Sequence, residues 1–391
     1  MFAVLSSIYR IVTAGLDPLQ LVLVGSVLEG TVLLFEIPTG VVADLVSRRL
    51  SVIIGLALIG VGFAFEGSFP SYVPILVAQV IWGIGFTFTS GADAAWIADE
   101  VGEEPAAILY VRGAQFDQAG QFVGVAIGVG LGTVSLHLPL VGGGVLLIAL
   151  AAFLSLAMPE HGFTRPRRTA GRRVRRQRSV RTTLREAAAN LRRRPVLYLI
   201  LAVATFHGAS SEGFDRLSEL HVLRDTTFPA NEADLVRLAV VFGAIYGVSL
   251  LLSIAATELV KRRVDVRAHR SVARALSAIN ALLIASVVGF GLAGSFVLAV
   301  GLLWAVGVLR EIQAPLATAW VNQDLDPRSR ATVNSVASQS DALGQILGGP
   351  ALGALALGRS VRAALVAAGL LLVPAQALYA RALRGHTDAG P

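Results

Sequence analysis

Short polar stretches cut this chain into about twelve apolar runs, more than any water-soluble core could bury. The first half reads Met1–Thr13, Leu19–Val42, Leu50–Phe65, Val73–Ala98, Ile108–Val134 and Leu138–Met158. The second reads Val196–Val222, Leu235–Leu259, Val272–Ala293, Phe296–Trp320, Ser335–Leu357 and Val361–Leu383. A hydrocarbon core about 30 Å thick takes roughly 20 residues of helix, and most of these runs are that long. They lack the alternation of barrel strands, so helices must satisfy their backbone groups. With 54% of residues hydrophobic and 15% charged, the surrounding solvent is lipid. The expected fold class is an all-α membrane protein. Its first run is short: thirteen residues reach only about 20 Å. Either the helix starts upstream of Met1 or the bilayer thins locally. A signal peptide fits poorly, because no basic region and no small-residue cleavage pattern precede Leu16-Asp17-Pro18.

The halves resemble each other. Asp117-Gln118-Ala119-Gly120-Gln121-Phe122-Val123-Gly124 returns 224 residues later as Asp341-Ala342-Leu343-Gly344-Gln345-Ile346-Leu347-Gly348. The same offset carries Ala95-Trp96 onto Ala319-Trp320 and Gln115 onto Gln339. One gapless register across two runs implies duplication of a large unit, and two such halves in a membrane usually enclose one site. The expected organisation is residues 1–158, a basic linker at 159–195, residues 196–384 and a short tail at 385–391.

Basic residues orient the chain. Arg48-Arg49, the arginines between Arg165 and Arg194, Lys261-Arg262-Arg263 and Arg328/Arg330 all follow even-numbered runs. By the positive-inside rule those loops and the tail with Arg381 and Arg384 are cytoplasmic. The linker arginines lack interleaved aromatics and lie between spans, so anionic headgroups are their expected partner rather than nucleic acid. A monomer in the inner (plasma) membrane of a bacterial-type cell is expected. Absence of cysteine removes disulfide and thiolate chemistry. The six histidines lack metal-ligand spacing, so no metal is expected. Lys261 is the only lysine and lies in no phosphate-binding loop, which excludes a Walker-type ATP site.

Gly40-Val41-Val42-Ala43-Asp44-Leu45-Val46-Ser47-Arg48-Arg49 resembles the loop signature of the major facilitator superfamily, with Leu45 and Ser47 departing from it. Glu258 with Lys261, Arg262 and Arg263 repeats the acid and basic cluster in the second half. The resemblance covers nearly the whole chain and implies two six-helix bundles around a central cavity. It also implies that Gly40, Asp44, Arg48, Arg49, Glu258, Arg262 and Arg263 belong to cytoplasmic gating loops. Within that family the chain is similar to bacterial drug-efflux transporters, again with departures. Gln79 stands where exporters often carry arginine, and Gly120, Gly124 and Gly128 occur without the usual proline. Their four-residue spacing reads as close helix contact.

Charges within the runs guide the mechanism, since each is costly unless paired or wet. The candidates for the substrate or proton pathway are Glu29, Glu36, Asp93, Arg112, Asp117, Arg310, Glu311 and Asp341. Asp93 falls at seven-residue spacing from Phe86 and Gln79, which reads as one helix face. Glu29 and Asp93 have no opposite charge within their own runs and are the expected proton carriers. Arg310 could be balanced by Glu311 or Asp341, whereas Glu212, Arg216 and Glu219 have the spacing to neutralise one another. Trp82, Phe86, Trp96 and Trp304 are aromatic candidates for the cavity. The expected function is secondary export of small amphipathic or cationic compounds, with the proton gradient instead of a cofactor as energy source. Import of a sugar, organic acid or other metabolite is the alternative; a sensor and a membrane enzyme rank below both.

Overall fold

The computed structural model describes residues 2–163, 195–229, 234–263, 269–323 and 327–385, and their regular structure is entirely helical. Helix α1 (Phe2–Ile8) runs into a π-helical turn at Tyr9–Thr13. There follow α2 (Pro18–Leu45), α3 (Arg48–Ser68), α4 (Tyr72–Thr89), α5 (Ala92–Val101), α6 (Glu103–Gly132) and α7 (His137–Ala157). Beyond the linker come α8 (Pro195–Arg224), α9 (Leu235–Arg263), α10 (His269–Leu292) and α11 (Phe296–Gln323). The last are α12 (Pro327–Gly358), α13 (Val361–Leu370) and α14 (Val373–Gly385). Among the described residues, eight helical stretches are long and apolar enough to cross a membrane, with α4–α5 and α13–α14 each counting as one interrupted crossing. Helices α6, α8 and α12 have the length but not a sufficiently apolar stretch. The protein is a multi-pass membrane protein.

The Arg-rich segment 164–194 and the tail from His386 lie outside the described residues, as do the side chains of Lys261, Arg262, Arg263, Arg328, Arg330 and Arg384. The described chain forms two compact units. One comprises Met1–Leu16, Val27–Glu186 and Ala233–Gly243; the other comprises Asp17–Ser26, Ala187–Glu232 and Ala244–Pro391. In the first, α3 packs on α4 and α7, and α1 packs on α6 and α7. In the second, α10 packs on α11 and α13, and α8 packs on α12. These pairings correspond helix for helix, as duplication requires. The register is retained inside the contacts. A Cβ on Gly67 would meet the Val141 side chain at 2.8 Å, and one on Gly291, at the same 224-residue offset, would meet the Leu365 Cβ at 3.0 Å.

Local chemistry explains several boundaries. Ser47, one of the two departures from the loop signature, is the N-cap of α3: its backbone is extended and its Oγ accepts from Leu50 N at 2.9 Å. Ser360 caps α13 in the same way, accepting from Ala363 N at 3.1 Å. The run Val73–Ala98 is not one straight helix. At Ser90-Gly91 the chain leaves the helical region, and Gly91 has φ 74°, a left-handed conformation that a side chain would disfavour. This break ends the seven-residue register that would have placed Asp93 on the face of Gln79 and Phe86. Asp93 instead occupies the first turn of α5, where its Oδ1 accepts from Ala94 N at 2.7 Å.

Candidate functional site

Within the second unit, α8, α11, α12 and α14 surround a cavity of about 440 Å³. Its wall is mainly apolar, from Ile200, Val203, Ala317 and Val321, with the rings of Trp320 and Tyr379 packed 5.8 Å apart. Polar groups enter from three of these helices: His207 from α8, Arg310 and Gln313 from α11, and Asn334, Ser338 and Asp341 from α12. The Gln313 amide nitrogen and the His207 Nε2 lie 3.1 Å apart. Arg310 Nη1 reaches Asp215 Oδ1 at 2.5 Å, and its guanidinium stacks over the Phe214 ring at 4.9 Å. Its acid is therefore Asp215 on α8, and neither Glu311 nor Asp341 is the ion partner. Asp341 accepts from the Gln345 amide at 2.8 Å and, among the described residues, forms no salt bridge. Such a cavity can solvate an apolar body while offering it a carboxylate, amides and an aromatic edge.

The repeated Asp-Gln pair makes the same bond twice. Gln121 Nε2 donates to Asp117 Oδ2 at 2.8 Å, as Gln345 does to Asp341. The environments differ: Asp117 is exposed on α6, whereas Asp341 lines the cavity.

At the α2–α3 junction of the first unit, charged and polar groups tie three chain segments together. Arg48 Nη1 contacts Asp99 Oδ2 at 2.5 Å and donates to Ala95 O at 2.7 Å, both on α5. Glu160, just past α7, accepts from Ser47 Oγ at 2.8 Å and from Arg49 N at 3.0 Å. Glu100 Oε1 accepts from His161 N at 2.6 Å and Gly162 N at 2.8 Å, and Trp96 Nε1 donates to Pro159 O at 2.8 Å. Asp44 lies half-buried in the last turn of α2 and is engaged. Asp99 and Glu100, near the end of α5, are therefore anchors of this junction.

A second polar cluster lies deep in the first unit. Arg10 donates to both carboxylate oxygens of Glu66, from Nε at 2.7 Å and Nη2 at 3.0 Å, while Gln79 Nε2 donates to Glu66 Oε2 at 2.7 Å. Arg10, Glu66 and Gln79 are 3%, 1% and 1% exposed, so this is a desolvated ion pair. It gives Gln79 a definite role in a position where exporters often carry arginine.

The remaining candidates scatter. Glu29 is half-buried and engaged, Glu36 and Arg112 are exposed, and Glu311 is exposed beside Arg310. Glu258 is exposed on α9 and engaged, and Gly40 sits half-buried in α2. Trp82 packs against Phe63 at 5.1 Å, Trp304 donates to Ile245 O at 2.9 Å, and Phe86 is exposed. Glu212 and Arg216 do pair, at 3.1 Å, and Glu219 accepts from Ser218 Oγ at 3.0 Å.

A family model described as the Major Facilitator Superfamily matches residues 1–349. The uncharacterized MFS-type transporter YxaM of Bacillus subtilis (strain 168) is 30% identical over 97 residues, 25% of this chain and 24% of that protein. The match thus spans about a quarter of that relative's length. Among solved structures, the nucleoside transporter NupG superposes with a TM-score of 0.74 at 15% identity, covering 97% of this chain and 94% of that one. A bacterial homologue of the human lysosomal transporter Spinster, solved inward-facing and occupied, gives 0.70 at 16% identity over 98% and 95%. At these identities the superpositions establish the fold, and the family model establishes kinship. The chain is a transporter rather than an enzyme, and it belongs to the major facilitator superfamily.

Proposed function

We propose that this protein is a proton-coupled exporter of small amphipathic or cationic organic compounds, working by alternating access as a monomer in a bacterial-type inner membrane. The observation that carries this reading is the cavity of the second unit, whose largely apolar wall holds the Asp341 carboxylate without an ion partner among the described residues. A carboxylate in such surroundings attracts an organic cation, and Trp320 and Tyr379 offer it aromatic faces. The proton gradient supplies the energy and no cofactor takes part. Basic loops and the linker arginines face the cytoplasm against anionic headgroups. A second reading, import of a polar metabolite, draws on the hydrogen-bonding set of His207, Gln313 and Asn334 and on the likeness to a nucleoside transporter.

Sealed vesicles separate the two readings. Efflux of an organic cation driven by an inward proton gradient supports the exporter; flux of a neutral polar solute, unaffected by collapsing that gradient, supports the importer. Asp341→Asn should lower the initial rate for cationic solutes by about tenfold or more, the scale of one lost charge interaction, and leave neutral solutes less affected. Equal rates for wild type and variant would remove Asp341 from the binding site.

The α2–α3 junction is proposed as a gate, since contacts made in one conformation bias an equilibrium between two. Asp44→Asn and Arg48→Gln should each reduce transport several-fold while membrane insertion, measured by the yield of folded protein, stays at the wild-type level. Wild-type transport rates across a range of solute concentrations would show that the junction sets only topology.

A further inference from the structure

The Arg10–Glu66–Gln79 cluster differs from the rest of the polar interior, because the duplicated half builds the same junction without it. The 224-residue offset that carries Gly67 onto Gly291 and Gly83 onto Gly307 also carries Glu66 onto Phe290 and Gln79 onto Leu303. Phe290 is fully buried, with His221 edge-on to its ring at 4.9 Å. Phe290, packed on the buried His221 whose Nδ1 lies 3.0 Å from Asp225 Oδ2, therefore completes this junction in one half, and a desolvated ion pair centred on Glu66 completes it in the other. Apolar replacements of buried ion pairs are commonly neutral or stabilising, so packing alone does not call for the charges.

The geometry has two features suited to a change of charge. Gln79 Oε1 is buried and lacks a hydrogen-bond partner, although the Gln79 amide nitrogen binds Glu66. Rotation of that amide would present an acceptor to a protonated Glu66, so one side chain can serve both charge states. The arginine comes from a π-helical turn, where Ala14 N bonds to Tyr9 O at 2.9 Å. This wider turn directs consecutive side chains at α3: Tyr9 Oη donates to Glu66 O at 2.8 Å while Arg10 grips the carboxylate. Such turns recur at functional sites and can revert to α geometry by shifting one residue.

We propose that Glu66 is a proton-binding site and that its occupation loosens the packing of the π turn against α3 and α4. A proton from water adds to the carboxylate, Arg10 keeps its own, and the cluster passes from neutral to a net charge of about +1. A buried guanidinium without its counter-ion is costly, and the cost is relieved when the π turn moves and Arg10 reaches water. Protonation thereby favours a different conformation of the first unit. The titratable groups facing Glu66 are Arg10 and Tyr9 from the π turn and, across Tyr9, His137 of α7, whose Nδ1 lies 2.6 Å from Gly67 O. On the orientation expected from the basic loops, the site lies toward the external ends of its helices, where entering protons arrive. The coupling role rests on the proposed proton-driven function; the binding site does not.

Infrared difference spectra of the purified, lipid-reconstituted protein between acidic and alkaline pH test the site without any solute. The wild type should gain a protonated-carboxyl band at acidic pH that Glu66→Gln lacks. Gln79→Leu, which retains both charged groups, should keep the band at a shifted frequency because the acid loses its amide partner. An unchanged spectrum in Glu66→Gln, or an unshifted band in Gln79→Leu, overturns the proposal. Should Glu66→Gln fail to fold, the Gln79→Leu spectrum decides alone. In vesicles, Glu66→Gln should let solute equilibrate without accumulating, and normal accumulation overturns the coupling role. A Glu66 band in a wild type without proton-driven flux upholds the site and rejects the exporter reading.

Discussion

Arg10→Met should remove most of the folded protein, and adding Glu66→Leu should restore much of it. The single change strands the Glu66 carboxylate, 1% exposed, with one amide donor in place of three charge-neutralising and hydrogen-bonding contacts. Breaking a buried pair by deleting one partner costs about 3–5 kcal/mol, a factor of more than about 100 in the folding equilibrium. The double variant replaces the ion pair with side-chain packing at the position that Phe290 fills in the second half. Thermal unfolding in detergent and the yield of monodisperse protein measure both steps. If Arg10→Met is as stable as wild type, the pair is not desolvated. If the double variant is as poor as the single one, packing rather than charge governs the junction. Transport need not return with stability, since the two properties draw on the cluster differently.

What the sequence disclosed and what it hid follow from the range of the interactions involved. Run length and composition reveal the crossings because lipid acts on every residue separately. The Asp117 and Asp341 motifs were legible because each bonds to a glutamine one turn away in its own helix. Arg10 and Glu66 were not. Each sits near the end of an apolar run, where a charge reads as a flank at the water interface, and their pairing depends on which helices come together. Gln79, singled out as an anomaly, was the available signal. The break at Gly91 left no mark either, since glycine is common inside membrane helices and only its φ distinguishes this one. The cavity is a long-range object. Arg310 and Asp341 stood out as charged residues in apolar runs, but His207, Gln313, Asn334 and Tyr379 gain meaning only when α8, α11, α12 and α14 converge. Arg310 shows the limit of reading by proximity in sequence: its neighbour Glu311 is an acid, yet the ion pair forms with Asp215 on another helix.

The duplication supplies a control for the second large effect: Gly344→Ala should destabilise the protein strongly, whereas the equivalent Gly120→Ala should not. A Cβ on Gly344 would lie 2.1 Å from Thr205 O and 2.9 Å from Ala209 N, both backbone atoms of α8. One on Gly208 would lie 2.0 Å from Asp341 O, so α8 and α12 approach each other through reciprocal glycines. Backbone atoms cannot rotate aside as a side chain can, and the helices must separate to admit the methyl. Overpacking typically costs about 1–3 kcal/mol and occasionally more, and this contact belongs at the upper end. Separation would also displace Asp341 from the cavity, so transport should fall together with stability. Around Gly120 a Cβ meets nothing within 4 Å, which departs from the close contact that its four-residue spacing implied. There the substitution should be neutral or stabilising by up to about 1 kcal/mol, from the higher helix propensity of alanine. Thermal unfolding of the two variants side by side tests the asymmetry between copies of one motif. Equal losses would mean that α6 is packed as α12 is, and equal tolerance would mean that α8 and α12 do not touch through their backbones.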